Sequence, residues 1–163
     1  MNNQINIRMI RETDNIELAK IIRACLSEFN AVKPGTVYYD DTTDHLYEIF
    51  KKERSKYFVV EIDGKVAGGA GIYPTSGLED DTCELVKMYL LKSARGKALG
   101  KILLQKCIAV AKKEGYKKMY LETMPELKLA IPMYQKYGFI FLNGPKGHSG
   151  HTGCDVWMMK ELT

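Results

Sequence analysis

The stretch ELVKMYLLKSARGKALGK, residues 84–101, decides how the rest of the chain is read. It opens as a β-prone run and passes through a basic turn holding Gly96. It then continues as an amphipathic helix with Leu99, Ile102, Leu103, Cys107 and Val110 on one face. A strand that turns tightly into a helix presents the helix's unpaired first amides at the positive end of its dipole. Small residues let a ligand oxygen approach those amides, so the segment is built as a phosphate cradle. Two nucleotide motifs fail on spacing. In a P-loop, Gly-x-x-x-x-Gly-Lys-[Ser/Thr], the glycines stand further apart than Gly96 and Gly100, and a hydroxyl stands where Ile102 is. The dinucleotide fingerprint Gly-x-Gly-x-x-Gly is also missing. An ordinary helix start with a glycine turn remains the alternative reading of the local pattern.

Upstream, residues 5–10 alternate as a half-buried strand does. Asp14 and Glu17 read as a capping box for a helix with Leu18, Ile21, Ile22, Cys25 and Phe29 inward. Thr43 is placed to cap a second helix. Residues 57–62 and 65–73 are strands joined by Asp63-Gly64, the pair a tight hairpin needs. Downstream, Gly115 ends the long helix and residues 117–123 form a strand. Residues 125–137 are helical with a break near Pro132, and Gly138 caps them. Residues 139–142 and 154–159 are the last strands. The pattern predicts one layered α/β (α+β) domain over residues 1–163 with a mixed sheet.

The 163 residues are 45% hydrophobic and 27% charged, an ordinary globular composition. No apolar run approaches the ~20 residues of a membrane helix, and the N-terminus has no signal core, so a cytoplasmic protein is expected. Cys25, Cys83, Cys107 and Cys154 are widely spaced and read as free buried thiols. The net charge is +4, with lysines gathered between Lys92 and Lys118. Little aromatic interleaving accompanies them, so a nucleic-acid surface is disfavoured against a solvated helix face or a site for one small polyanion.

The segment Arg95-Gly96-Lys97-Ala98-Leu99-Gly100 resembles the CoA-binding motif of the GNAT acetyltransferases, [Arg/Gln]-x-x-Gly-x-[Gly/Ala], with Ala98 at the family's central glycine. Residues 130–139, AIPMYQKYGF, are similar to the family's Ala-x-x-Leu-Tyr-x-x-x-Gly-Phe, and the order of elements agrees along nearly the whole chain. The resemblance implies a mixed, mostly antiparallel sheet flanked by about four helices. It also implies acetyl-CoA as cosubstrate and transfer of an acetyl group to an amine by direct attack. The diphosphate would lie on Arg95, Gly96, Lys97, Ala98, Leu99, Gly100 and Lys101, and the pantetheine arm on the backbone of Met88, Tyr89 and Leu90. Ala98 keeps the amide and is expected to favour the helix by up to ~1 kcal/mol over glycine. Leu127 departs from an asparagine that touches the cofactor in many members.

Amide formation from a thioester needs a neutral amine, a donor to the developing oxyanion and an acid for the thiolate. By resemblance Tyr134 is the acid. Glu84, at the start of the central strand, is the candidate base, with Glu122 the runner-up. His148, His151 and Cys154 carry zinc-type ligands at an unfamiliar spacing, His-x-x-His-x-x-Cys, so no metal is expected. The loop instead reads as a lining of the acceptor pocket, in which His148 or His151 meets substrate or relays a proton, or as a plain hairpin loop. Tyr38, Tyr39, Asp40 and Asp41 border the acceptor cleft by resemblance, but read first as a solvated, capping loop. Residues 79–81 read as a solvated turn. The acceptor is a small-molecule or peptide amine. Dimers are common among related folds. A CoA-binding module without turnover is the alternative function.

Overall fold

A computed structural model describes residues 2–163. Among the described residues seven strands form one sheet: β1 (Ile5–Met9), β2 (Lys56–Ile62), β3 (Lys65–Tyr73), β4 (Thr82–Leu90), β5 (Lys118–Thr123), β6 (Ile140–Phe141) and β7 (Val156–Glu161), in the order β1-β2-β3-β4-β5-β7-β6. The helices are α1 (Asn15–Glu28), α2 (Leu46–Ile49), α3 (Leu99–Lys113) and α4 (Ile131–Lys136). All neighbouring strands run antiparallel except β4 and β5, which are parallel because α3 carries the chain back across the sheet. The layered, mostly antiparallel sheet expected above is the one observed.

Two cores form on its faces. Leu18, Ile22 and Leu26 of α1 pack with Tyr57 and Val59 on one face. Leu99, Leu103, Leu104 and Cys107 of α3, with Tyr134 and Phe139, pack on the other. Ile102, expected in the buried stripe, is 37% exposed, and Leu104 replaces it. Lys101, Lys106, Lys112 and Lys113 stand on the exposed side of α3, a solvated helix face. No helix among the described residues is long and apolar enough to cross a membrane.

Local chemistry holds where it meets no tertiary competitor. Asp63 and Gly64 both adopt positive φ, 52° and 80°, and close the β2–β3 hairpin as their pair predicts. Two expected caps fail because a better partner is near. The Asp14 carboxylate faces Arg8 at 2.8 Å and accepts from the Arg11 amide at 2.7 Å, so it caps the turn before α1 and leaves α1 without a side-chain cap. The Thr43 hydroxyl donates to the Val37 carbonyl at 2.7 Å, while Asp40 caps the turn Asp41–Asp44. The break in residues 125–137 falls at Leu127, and Pro132 sits in the first turn of α4, where its missing N–H costs nothing.

A chain of contacts across three strands shapes the centre. A Cβ on Gly69 would lie 2.6 Å from the Tyr57 ring, and one on Gly71 would lie 2.7 Å from it. The glycines therefore let Tyr57 lie flat across β3. Its hydroxyl donates 2.8 Å to the carbonyl of Lys87 on β4. Lys87 has a positive φ of 51°, and the β3–β4 register slips there between Gly69 and Gly71, so β4 carries a bulge. Tyr57→Phe should strand that carbonyl and lower stability in urea by roughly 1–2 kcal/mol. A change below about 0.3 kcal/mol would show that the bulge does not depend on Tyr57.

Candidate active site

The backbone of the basic turn supplies the first half of the site. After the short turn Lys92–Ala94, Gly96 and Ala98 both take positive φ, 76° and 59°. The first helical bond of α3 runs from Ile102 N to Ala98 O at 3.1 Å, and among the described residues the amides of residues 96–101 have no backbone acceptor. Ala98 is thus outside the helix, in a left-handed conformation costing an L-residue about 1–2 kcal/mol. The expected helix-favouring role of its methyl does not apply, because propensity acts only inside the helix. At Gly100 a Cβ would make only ordinary contacts, the nearest with Met133 Sδ at 3.7 Å, so the protein's own atoms do not require glycine there.

The side chains of the turn behave differently from its backbone. Arg95 forms a fork with Glu28, at 2.5 and 2.9 Å, and donates to the Leu90 carbonyl. It lies 4.9 Å over the Phe29 ring. The guanidinium therefore ties the end of α1 to the end of β4. Arg95, Gly96, Ala98, Leu99, Gly100 and Lys101 line the adjoining cavity of about 490 Å³. Lys97 is not among its lining residues.

That cavity exists because β4 and β5 part. They pair only from Thr82↔Lys118 to Glu84↔Tyr120 and then diverge. Met88, Tyr89 and Leu90 line one wall and Leu121, Glu122 and Thr123 the other. Tyr134 projects from α4 with its hydroxyl 3.7 Å from Met88 Sδ and its ring edge-on to Phe139. Burial pushes its phenol well above the usual range, so it stays protonated. Leu127 also faces the cavity, presenting an apolar side chain.

At the vertex where β4 and β5 part, a polar cluster lies on the α1 face. Glu84, 3% exposed, accepts from Thr75 Oγ1 at 2.6 Å. Burial raises its carboxyl to about 7; the Thr75 bond opposes the rise and the charge of Glu122 adds to it. Glu122 accepts from Tyr120 at 2.6 Å and from Ser149. His151 Nε2 meets Asp40 Oδ2 at 2.9 Å, and that bond holds the Asp40 carboxyl well below the usual range. Lys87 Nζ lies 4.0 Å from the same oxygen, with its side chain 7% exposed. A second, small cavity of about 40 Å³ touches Glu84, Lys87, Glu122 and His151 and shares its inner wall with the large one.

The zinc-type run of the sequence is dispersed. His148 packs against Gly77 and donates its amide to Ser76 O, while His151 enters the cluster and Cys154, buried among the α1-side apolar residues, lines the small cavity beside it. Ligand atoms of Glu84, Glu122 and His151 lie within 4.8 Å of one another. Each of these side chains already has another protein partner, and no hydrogen bond among the described residues joins one of the three to another. Tyr39 is exposed and residues 79–81 form a turn, but Asp40 is drawn inward as well as capping. Sequence reasoning passed over Lys87. Its signal was a single charge inside the otherwise apolar run Leu85 to Leu90.

Comparison with known proteins agrees with this architecture. The sequence profile of the Acetyltransferase (GNAT) family matches residues 18–139. The uncharacterized N-acetyltransferase YjgM of Escherichia coli is 39% identical over 157 residues, covering 96% of this chain and 94% of that protein. A Staphylococcus aureus GNAT acetyltransferase superposes with a TM-score of 0.86 at 20% identity, over 98% of this chain and all of the other. The acetyltransferase YncA of Salmonella typhimurium, solved with acetyl-CoA, gives 0.75 at 19% identity over 98% and 94%. With its parted parallel strands, its free helix-start amides and a profile match over most of its length, the chain belongs to the GNAT acetyltransferase family.

Proposed function

We propose that the protein transfers an acetyl group from acetyl-CoA to a primary amine by direct attack. The observation that carries this reading is the gap between β4 and β5, with unpaired amides at one end and a buried carboxyl poised near neutrality at the other. The diphosphate of acetyl-CoA would take the amides of residues 96–101, each charge-assisted bond contributing about 1.5–3 kcal/mol. The pantetheine arm would run beside Met88, Tyr89 and Leu90, leaving the thioester near Tyr134. Arg95 and Lys97 then contribute less through their side chains than through the shape and charge of the turn. The four buried free thiols suit a reducing compartment, the cytoplasm.

The amine reaches the thioester from the α1 face. A lysine-like amine is neutral only ~0.04% of the time at pH 7, a deficit of ~4.6 kcal/mol. Glu84, directly or through water, accepts the proton as the C–N bond forms, and a carboxyl near 7 is matched to that task. The C–S bond then breaks, and Tyr134 donates to the leaving sulfur. The alternative, a CoA-binding module without turnover, draws on Ala98 and Leu127 and predicts binding of acetyl-CoA with no thiol release on any amine. A thiol-release assay with acetyl-CoA and a panel of amines separates the two.

Tyr134→Phe should lower kcat at least tenfold while acetyl-CoA affinity stays within about twofold, because only the donor to sulfur is removed. Turnover within a factor of two of wild type would remove Tyr134 from the acid role.

For Glu84, kcat/KM should rise with pH through about 7 as the base loses its proton. The stability effect has the opposite sign. The folded carboxyl binds its proton more tightly than the unfolded one, so its contribution is full below about 4.5 and lost as pH rises through about 7. Glu84→Gln should therefore abolish the step in the rate profile, lower kcat/KM at least tenfold, and stabilise the protein at pH 8 by up to about 3 kcal/mol. A variant that keeps the step near pH 7 would assign the base elsewhere, Glu122 being the next candidate.

A further inference from the structure

Around the small cavity on the α1 face, most carboxylate oxygens are already hydrogen-bonded. Asp40 accepts from Thr42 N and Oγ1 and meets His151. Both Glu122 oxygens have donors, Tyr120 and Ser149. Glu84 has one oxygen on Thr75 and one without a partner among the described residues. Lys87 is the one lysine or arginine lining this cavity among the described residues. Its ammonium sits 4.0 Å from Asp40, beyond hydrogen-bond reach, and makes no hydrogen bond among the described residues. Burial lowers its pKa, while Asp40 and Glu84 oppose that shift. The ammonium offers its three donors to the cavity it lines.

The strand geometry puts this ammonium on the same side as Glu84. Residues three apart on a regular strand face opposite ways. The bulge at Lys87, where φ is 51°, removes that alternation, so Glu84 and Lys87 line one cavity. Among the charged groups lining the pocket, one Glu84 oxygen and the Lys87 ammonium are left to meet a ligand. Resting on the reading of this cavity as the acceptor pocket, we propose that the acceptor is a compact free amino acid, its amine toward Glu84 and its carboxylate held by Lys87. A diamine would set its second ammonium against Lys87, and a simple alkylamine would leave Lys87 buried and unmet. The cavity is small, about 40 Å³. That favours a short side chain and disfavours a peptide.

The test uses matched acceptors that differ only in the carboxylate: glycine and methylamine, alanine and ethylamine, serine and ethanolamine, with 1,5-diaminopentane as the dication. Thiol release from acetyl-CoA is followed for each with the full chain. For at least one pair the amino acid should exceed its decarboxylated partner about tenfold or more in kcat/KM, the scale of one charge-assisted bond. In Lys87→Met, with folding checked by acetyl-CoA binding, the ratio should collapse toward one. The proposal is overturned if the plain amine or the diamine is the better acceptor in every pair, or if the ratio survives in Lys87→Met. Acetyl-CoA binding with no thiol release on any amine would overturn the transferase reading itself, a different outcome from a reversed preference.

Discussion

Two neighbouring strands that begin as a parallel pair cannot stay paired when one of them is bent. β4 and β5 share only three residue pairs before the bulge at Lys87 carries β4 away, and the Tyr57 hydroxyl holds that bulge from two strands off. Past the vertex, the backbone of each strand faces a cavity on one side and its other neighbour, β3 or β7, on the other. Backbone polar groups facing such a gap need water or a ligand. The opening therefore leaves two strand edges for water or a ligand to meet, and the glycines of β3 are part of its construction.

Charge is divided along the same gap. The helix-start amides and the basic turn make one end positive, while Glu84, Glu122 and Asp40 gather at the other around the buried Lys87. The two ends meet at shared walls, Leu85, Tyr89 and Thr123 among them. Tyr134 and Met88 pack with the α3 side of the sheet, and Glu84, flanked by Cys83 and Leu85 of that core, points to the other. A cofactor lying in the gap and an acceptor arriving from the α1 face would meet where the sheet is open. The Arg95–Glu28 fork braces this arrangement by fixing the end of α1 against the end of β4.

Features carried by adjacent residues were legible in the chain. The Asp63-Gly64 hairpin, the strand–turn–helix of residues 84–101 and the α3 terminus at Gly115 depend on local backbone chemistry, and the structure contains them. What was misread depends on distant partners. Asp14 leaves its expected cap because Arg8 reaches it from β1, and Thr43 because the Val37 carbonyl lies over it. Ala98 looks like a helical alanine until the turn before it is seen to curl left-handed. Asp40 and His151 stand 111 residues apart, a separation no local pattern bridges. Lys87 was visible only as an oddity in an apolar strand, and its meaning came from the bulge that turns it toward Glu84.

The most direct measurement is a crystal structure of the protein with CoA bound. The account requires the diphosphate on the amides of residues 96–101, the pantetheine arm alongside Met88 to Leu90, and the sulfur between β4 and β5 within reach of the Tyr134 hydroxyl. Density for the cofactor on any other surface, or a sulfur on the far side of Tyr134 from the gap, would contradict it.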